Sequence, residues 1–361
     1  MAAARYFPAT YAEGRANFRA SAKDAGATLE SYVNPNATGP NGEELSTDVA
    51  RVGVANAPRV IFLCSATHGV EGFCGSGIQN ALLATGAFAK LPADTAAVLI
   101  HAINPYGFAH VRRVTEDNVD LNRNFVDHDD VHPPNPEYDE IHSLLVPADW
   151  GTAREEANAA IARFIAERGL WAFQQAVSGG QYSHADGMFF GGVRPTWSNG
   201  TWRAILAKYG TGKRAAFIDL HTGLGPYGFG ELIYAGRPNT RAHELAKAWY
   251  GDELKSTEDG TSASARVGGH LGNAVDDVVP DGRAVSIAIE YGTLPVMEVF
   301  EALRADNWLY AQGVVNSDLG RAIKKQIRDA LYPDKDDWKE MVTARAQEIL
   351  GKTIAGLSAM T

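Results

Sequence analysis

The chain has 361 residues, 45% of them hydrophobic and 21% charged, with two cysteines and a net charge of −10. This composition excludes a disordered chain, a general nucleic-acid binder and a disulfide-stapled small fold, and no apolar run approaches the ~18 residues of a membrane span. The first fifteen residues lack the basic-then-apolar order of a secretory signal, so the expectation is a soluble, cytoplasmic protein with neither a nucleic-acid nor a membrane partner.

Taken in chain order, residues 11–25 have the apolar spacing of a helix, and 59–65 (RVIFLCS) is the first short apolar run of a buried strand. A helix follows at 75–83 and a second strand at 97–103. Residues 126–150 carry Pro133, Pro134, Pro136 and Pro147 and read as one long ordered loop, either the wall or lid of a site or a surface insertion. The longest helical pattern runs over 152–177, where Ala157, Ile161, Phe164, Ile165 and Leu170 recur at roughly helical intervals. Strands are predicted at 215–220, 231–235 and 285–290, and helices at 243–254, 296–303 and 338–350. Continuous apolar strands alternating with helices predict an α/β fold: a mixed, mostly parallel sheet with helices on both faces. The expectation is a single catalytic domain over 1–361 with a loop insertion at 126–150. Ligands of such folds bind beyond the carboxyl ends of the strands.

Four strand ends carry polar residues. His68 and Glu71 form an H-x-x-E pair beyond the first strand, His221 ends IDLH, and Glu290 ends VSIAIE. Imidazole nitrogens and carboxylate oxygens are zinc ligands, and a catalytic zinc takes three protein ligands while keeping one position open. His68, Glu71 and His221 are that set. A carboxyl at the end of an apolar strand, as at Glu290, is partly desolvated and so tuned toward a general base. After the second strand comes NPYGFAHVRRVTEDNVDLNRNF, with Arg112, Arg113, Asn122 and Arg123. Arg112 and Arg113 are candidates for stabilising an oxyanion. Arginine binds carboxylates in a bidentate manner, so this cluster in an acidic chain points to a substrate bearing an anionic group. The alternative is that these arginines pair with Glu116, Asp117 and Asp120. His101, His110 and His128 lie near these motifs without a spacing that marks them as ligands of a second metal.

The ordered set resembles the zinc carboxypeptidase superfamily: carboxypeptidase A-like metallopeptidases, including the aspartoacylase and succinylglutamate desuccinylase branch. His68/Glu71, Asn104-Pro105-Tyr106-Gly107, Arg113, Asn122-Arg123, His221 and Glu290 follow that family's order, and the wording is closest to an uncharacterised bacterial carboxypeptidase-like branch. The resemblance implies a three-layer α/β/α sandwich and one Zn2+ per chain, held by His68, Glu71 and His221. It implies Glu290 as general base and then acid, and Arg113 at the tetrahedral oxyanion, with Arg112 taking that place if the register slips by one. Asn122 and Arg123 would hold the substrate carboxylate. The implied activity is hydrolysis of an amide next to a free carboxylate, as a metallo-carboxypeptidase on short peptides. An N-acyl-amino-acid deacylase and a non-catalytic carboxylate-binding scaffold are the alternatives. The secreted digestive members place a tyrosine shortly before the glutamate. The matching stretch here, 266–272, has no tyrosine; His270 is either its substitute or an exposed loop histidine, and 184–192 (HADGMFFGG) reads as a site-lining loop or as ordinary hydrophobic packing. Oligomeric state and side-chain preference leave no mark in the sequence.

Overall fold

The computed structural model describes residues 3–258, 260–262 and 264–360. Eight strands form one sheet: β1 (Thr28–Thr38), β2 (Glu44–Gly53), β3 (Arg59–Cys64), β4 (Thr95–His101), β5 (Arg214–Gly223), β6 (Gly230–Tyr234), β7 (Leu254–Lys255) and β8 (Ala284–Gly292). Their order is β1-β2-β4-β3-β5-β8-β6-β7. The centre, β4-β3-β5-β8, is parallel throughout. β1, β2 and β6 pair antiparallel with their inner neighbours, and β7 pairs parallel with β6.

The central strands are continuous apolar runs because both faces are covered. Along β3, Val60, Phe62 and Cys64 enter one core cluster, while Ile61 and Leu63 enter the other. The first cluster is closed by Trp202, Ile205 and Leu206 of helix Trp197–Gly210 and by Leu271, Ala274 and Val275 of helix Leu271–Val278. The second is closed by Phe18 of helix Tyr11–Asp24, Ile78 of helix Gly72–Ala84, and Trp338 and Ile349 of helix Asp336–Ala359. The result is the expected three-layer α/β sandwich around a mixed sheet. Both cysteines are free and buried. No helix among the described residues is long and apolar enough to cross a membrane.

The five predicted strands are all present. The helix expected at 243–254 is Arg241–Tyr250, with Leu254 opening β7, and two larger expectations change. The pattern over 152–177 is two helices, Thr152–Arg168 and Leu170–Ser178, broken at Gly169, where φ is +89° and ψ is 154°. The predicted loop at 126–150 contains helix Pro136–Leu145. Its start is written locally: Asn135 accepts from the Tyr138 amide at 3.0 Å, and Pro136 occupies the first turn, where its missing N–H costs nothing.

Candidate metal centre and cavity

The turn after β3 is built by close backbone approach. A Cβ on Gly69 would fall 2.0 Å from the Gly107 carbonyl carbon, so the Gly69 and Gly107 backbones pack directly together. Gly107 belongs to the short helix Pro105–Ala109, capped by Asn104, whose side chain accepts from the Gly107 amide at 2.9 Å. The Gly69 and Val70 amides donate to the Arg113 and Arg112 carbonyls at 3.0 and 2.8 Å. The N-P-Y-G string is therefore scaffolding that fixes the H-x-x-E turn.

On that turn His68 and Glu71 converge, with Nδ1 2.9 Å from Oε1. His221 arrives from inside β5, two residues before the strand ends. Its Nδ1 lies 3.0 Å from Glu71 Oε2 and 3.2 Å from His68 Nδ1. All three residues are buried, and one ligand atom from each lies within 4.8 Å of the others. The outer ring nitrogens meet carboxylates: His221 Nε2 is 2.8 Å from Asp219 Oδ2, and His68 Nε2 is 3.3 Å from Asp120 Oδ1. Thr67 in turn donates to Asp219 at 2.7 Å. Two imidazoles and a carboxylate facing one point, with carboxylates orienting the rings from behind, fit a divalent zinc-type cation. Asp219 and Asp120 were not among the predicted site residues. Asp219 was legible, because residues two apart on a strand share a face.

The charges are tightly coupled. Burial alone would raise the Glu71 carboxyl, but His68 and His221 hold it below the usual carboxylate range. Asp120 is likewise pulled well down by Arg113 and Arg123 against the cost of its burial. Glu290 moves the other way. Burial, and then the negative charge of Glu71, raise it to about 7. It pairs in register with His221 across β5 and β8 and accepts from the Leu224 amide at 2.9 Å.

His68, Glu71, Asp219, His221 and Glu290 line one cavity, open to solvent. Of the predicted residues, His68, Glu71, Arg113, Asn122, Arg123, His221, His270 and Glu290 all line it. Arg113 reaches Asp120 at 2.9 Å, His68 Nε2 at 2.8 Å and Glu71 at 3.4 Å. Arg112 does not line it. Its side chain turns to Asp306 at 3.2 Å and Asn118 at 2.9 Å, with the guanidinium 3.5 Å from the centre of the Tyr310 ring. The local positive patch expected from three arginines is thus two arginines sharing Asp120. Asn122 is partly committed, since its Oδ1 accepts from the Leu271 amide at 3.0 Å. Arg123 donates to the Asn122 and Ser178 carbonyls, while its buried Nε has no partner among the described residues. His270, at the head of helix Leu271–Val278, likewise has a buried Nδ1 without a partner. Burial and then Arg123 lower its pKa to about 4, so it is neutral near pH 7.

The apolar walls come from unexpected places. Residues 126–150 contribute no lining side chain. Leu170, Phe173 and Val177 do so, together with Val296, Phe300 and Leu303 of helix Val296–Ala311. From the segment 184–192 only Phe189 lines the cavity, with the Arg113 and Arg123 guanidiniums 5.0 and 5.6 Å from its ring centre. His101, His110 and His128 lie outside it; His101 bonds Ser76 at 2.9 Å and His110 bonds the Thr38 carbonyl at 2.9 Å.

A family model described as "Protein of unknown function (DUF2817)" matches residues 7–345. The chain belongs to the DUF2817 family. No curated protein matches this DUF2817 chain. Among solved structures it is similar to a carboxypeptidase A from Helicoverpa armigera, at 15% identity and a TM-score of 0.47, covering 90% of this chain and 74% of that one. A metallo-carboxypeptidase from Pseudomonas aeruginosa, in complex with (2-guanidinoethylmercapto)succinic acid, is similar at 14% identity and a TM-score of 0.41, covering 96% and 71%. A succinylglutamate desuccinylase from Chromobacterium violaceum matches at 14% identity and a TM-score of 0.38, covering 88% and 74%.

Proposed function

We propose that this DUF2817 chain is a zinc-dependent hydrolase that cleaves an amide bond next to a free carboxylate, acting as a metallo-carboxypeptidase on short peptides. The observation that carries this reading is the meeting of His68, Glu71 and His221 at one buried point, with the Glu290 carboxyl on the adjoining strand of the same cavity. His68, Glu71 and His221 would hold the zinc. When bound, zinc polarises a carbonyl oxygen and lowers the pKa of water.

The chain's own residues do the rest. Glu290, raised to about 7, can take a proton from water and later give it to the leaving amine. Arg113 presents a guanidinium beside the metal ligands, where negative charge develops on the substrate oxygen. Arg123, with its unpartnered Nε, is the group for the substrate carboxylate. Asn122 braces it: its backbone carbonyl accepts from the Arg123 guanidinium at 3.0 Å. The apolar walls at Phe173, Val177 and Phe300 favour a bulky apolar group on the substrate. The same walls suit a second reading, an N-acyl-amino-acid deacylase, in which they take the acyl chain.

The test is a mixed library of short peptides and N-acyl amino acids, read by mass spectrometry with metal analysis alongside. Loss of C-terminal apolar residues supports the carboxypeptidase, and cleavage of N-acyl amino acids alone moves the assignment to the deacylase. His221→Ala should lose the metal. Glu290→Gln should keep it and lose at least ~100-fold in kcat. Full turnover by Glu290→Gln removes the mechanism.

A further inference from the structure

Away from this cavity, the structure brings together a second set of metal-ligating side chains. Helix Pro136–Leu145 carries Asp139 and His142, three residues apart and so on one face. The turn after Gln181 carries His184 and Asp186. One ligand atom from each of His142, His184 and Asp186 lies within 4.8 Å of the others. His142 Nε2 is 3.4 Å from Asp186 Oδ1, and His184 Nε2 is 3.0 Å from Asp139 Oδ1. Ligand atoms around a tetrahedral zinc, with bonds of ~2.0–2.2 Å, sit about 3.3–3.6 Å apart. The 3.4 Å between His142 Nε2 and Asp186 Oδ1 already lies in that range.

We propose that His142, His184 and Asp186, with Asp139 at the rim, form a second site for a borderline divalent cation such as Zn2+. It would tie the segment that carries Phe189 to helix Pro136–Leu145. Two imidazoles and two carboxylates select a zinc-type ion over calcium or magnesium, which favour all-oxygen sites. Two neutral imidazoles, two carboxylates and a dication also sum to zero charge.

Three further observations support the site. The His142 and His184 rings stack, 3.8 Å between centres and 14° between planes. The supporting backbone is fixed independently of any ion: Asn118 donates to the Ala185 and Gly187 carbonyls at 2.9 and 3.2 Å, and Asn307 donates to the Asp186 carbonyl at 2.8 Å. Finally, a side chain at 187 is excluded. A Cβ on Gly187 would lie 2.5 Å from the Tyr138 hydroxyl and 3.2 Å from His142 Nδ1. Phe189 lies three residues beyond Asp186, against Arg113 and Arg123. An ion here therefore stiffens one wall of the main cavity without touching substrate.

The experiment uses the full chain, stripped with a chelator and equilibrated in a sub-micromolar free-zinc buffer, with metal per chain measured by mass spectrometry. Wild type should hold two zinc ions. His184→Gln and Asp186→Asn, both at partly exposed positions, should each hold one, with at least ten-fold weaker binding at the altered site. His221→Ala should also hold one. A single zinc in wild type that is absent from His221→Ala overturns the proposal, as do two in both His184→Gln and Asp186→Asn. A single zinc that His184→Gln loses and His221→Ala keeps supports this site and removes the metal from the proposed hydrolytic centre instead.

Discussion

Neighbouring residues of identical type have opposite fates here, and backbone direction decides which. Arg113 points into the cavity and Arg112 away to Asp306, so only one member of the pair singled out in the sequence faces the cavity. The histidines divide in the same way. His68 and His221 meet at one point, whereas His101 is fully buried, stacked on Phe18 at 4.7 Å and bonded to Ser76. Burial lowers its pKa to about 4, against 6.5 in the unfolded chain. The unfolded state therefore takes up a proton first as pH falls. The stability His101 contributes is complete above pH 6.5 and is lost as pH drops toward 4, by about 3 kcal/mol at full loss. His101→Phe should flatten this slope. Urea denaturation of both proteins at pH 7 and pH 4.5 checks it, and parallel losses would show that His101 is not the proton acceptor.

The elements that the sequence revealed are those whose pattern comes from burial on two faces. β3, β4, β5, β6 and β8 are such runs. β1 and β2 are not. β1 is an edge strand, largely exposed and carrying Pro35. β2 buries Ser46, Thr47 and Asp48: the Ser46 hydroxyl donates to Glu44, Thr47 to the Ala102 carbonyl, and Asp48 pairs with Arg15 and Arg19. No apolar alternation exists there to read. Helix Asp318–Leu331 was different: its Ser317 cap and its Ile323, Ile327, Leu331 spacing were legible and were overlooked. The broken helix at Gly169 turns on one backbone angle. Nothing lies within 4 Å of a Cβ there, so Gly169→Ala meets no clash, yet its φ and ψ belong to a region that is essentially glycine's. It should cost about 1–3 kcal/mol. Gly200→Ala, with equally open space inside helix Trp197–Gly210, should instead stabilise by about 0.5–1 kcal/mol. Opposite signs in one set of urea melts are the expected result; two losses would show that open space at Gly200 does not suffice.

Across the whole molecule, the helix Asp336–Ala359 ties the carboxyl end of β8 to the amino end of β3, two strands of the parallel centre of the sheet. Its 24 residues span about 36 Å. At one end Trp338, fully buried, donates its indole N–H to the Gly292 carbonyl at 2.9 Å, two residues past Glu290 on β8. At the other end Arg59, which opens β3, donates to the Leu357 and Met360 carbonyls at 3.1 and 2.9 Å. The helix thus secures the strand that carries the proposed base, while His68, Glu71 and His221 are held by β3, its turn and β5. Stability and metal binding should therefore separate at Trp338. Trp338→Phe leaves a ring in place but removes the donor and some volume, at about 1–3 kcal/mol, and Trp338→Ala should cost about 3–5 kcal/mol. Zinc per folded chain should be unchanged in both, while kcat falls in Trp338→Phe as Glu290 loses its fixed position. Thermal melts, metal analysis and kinetics on the same preparations decide this. Loss of metal alongside stability would mean that the C-terminal helix supports β5 and the H-x-x-E turn as much as it supports β8.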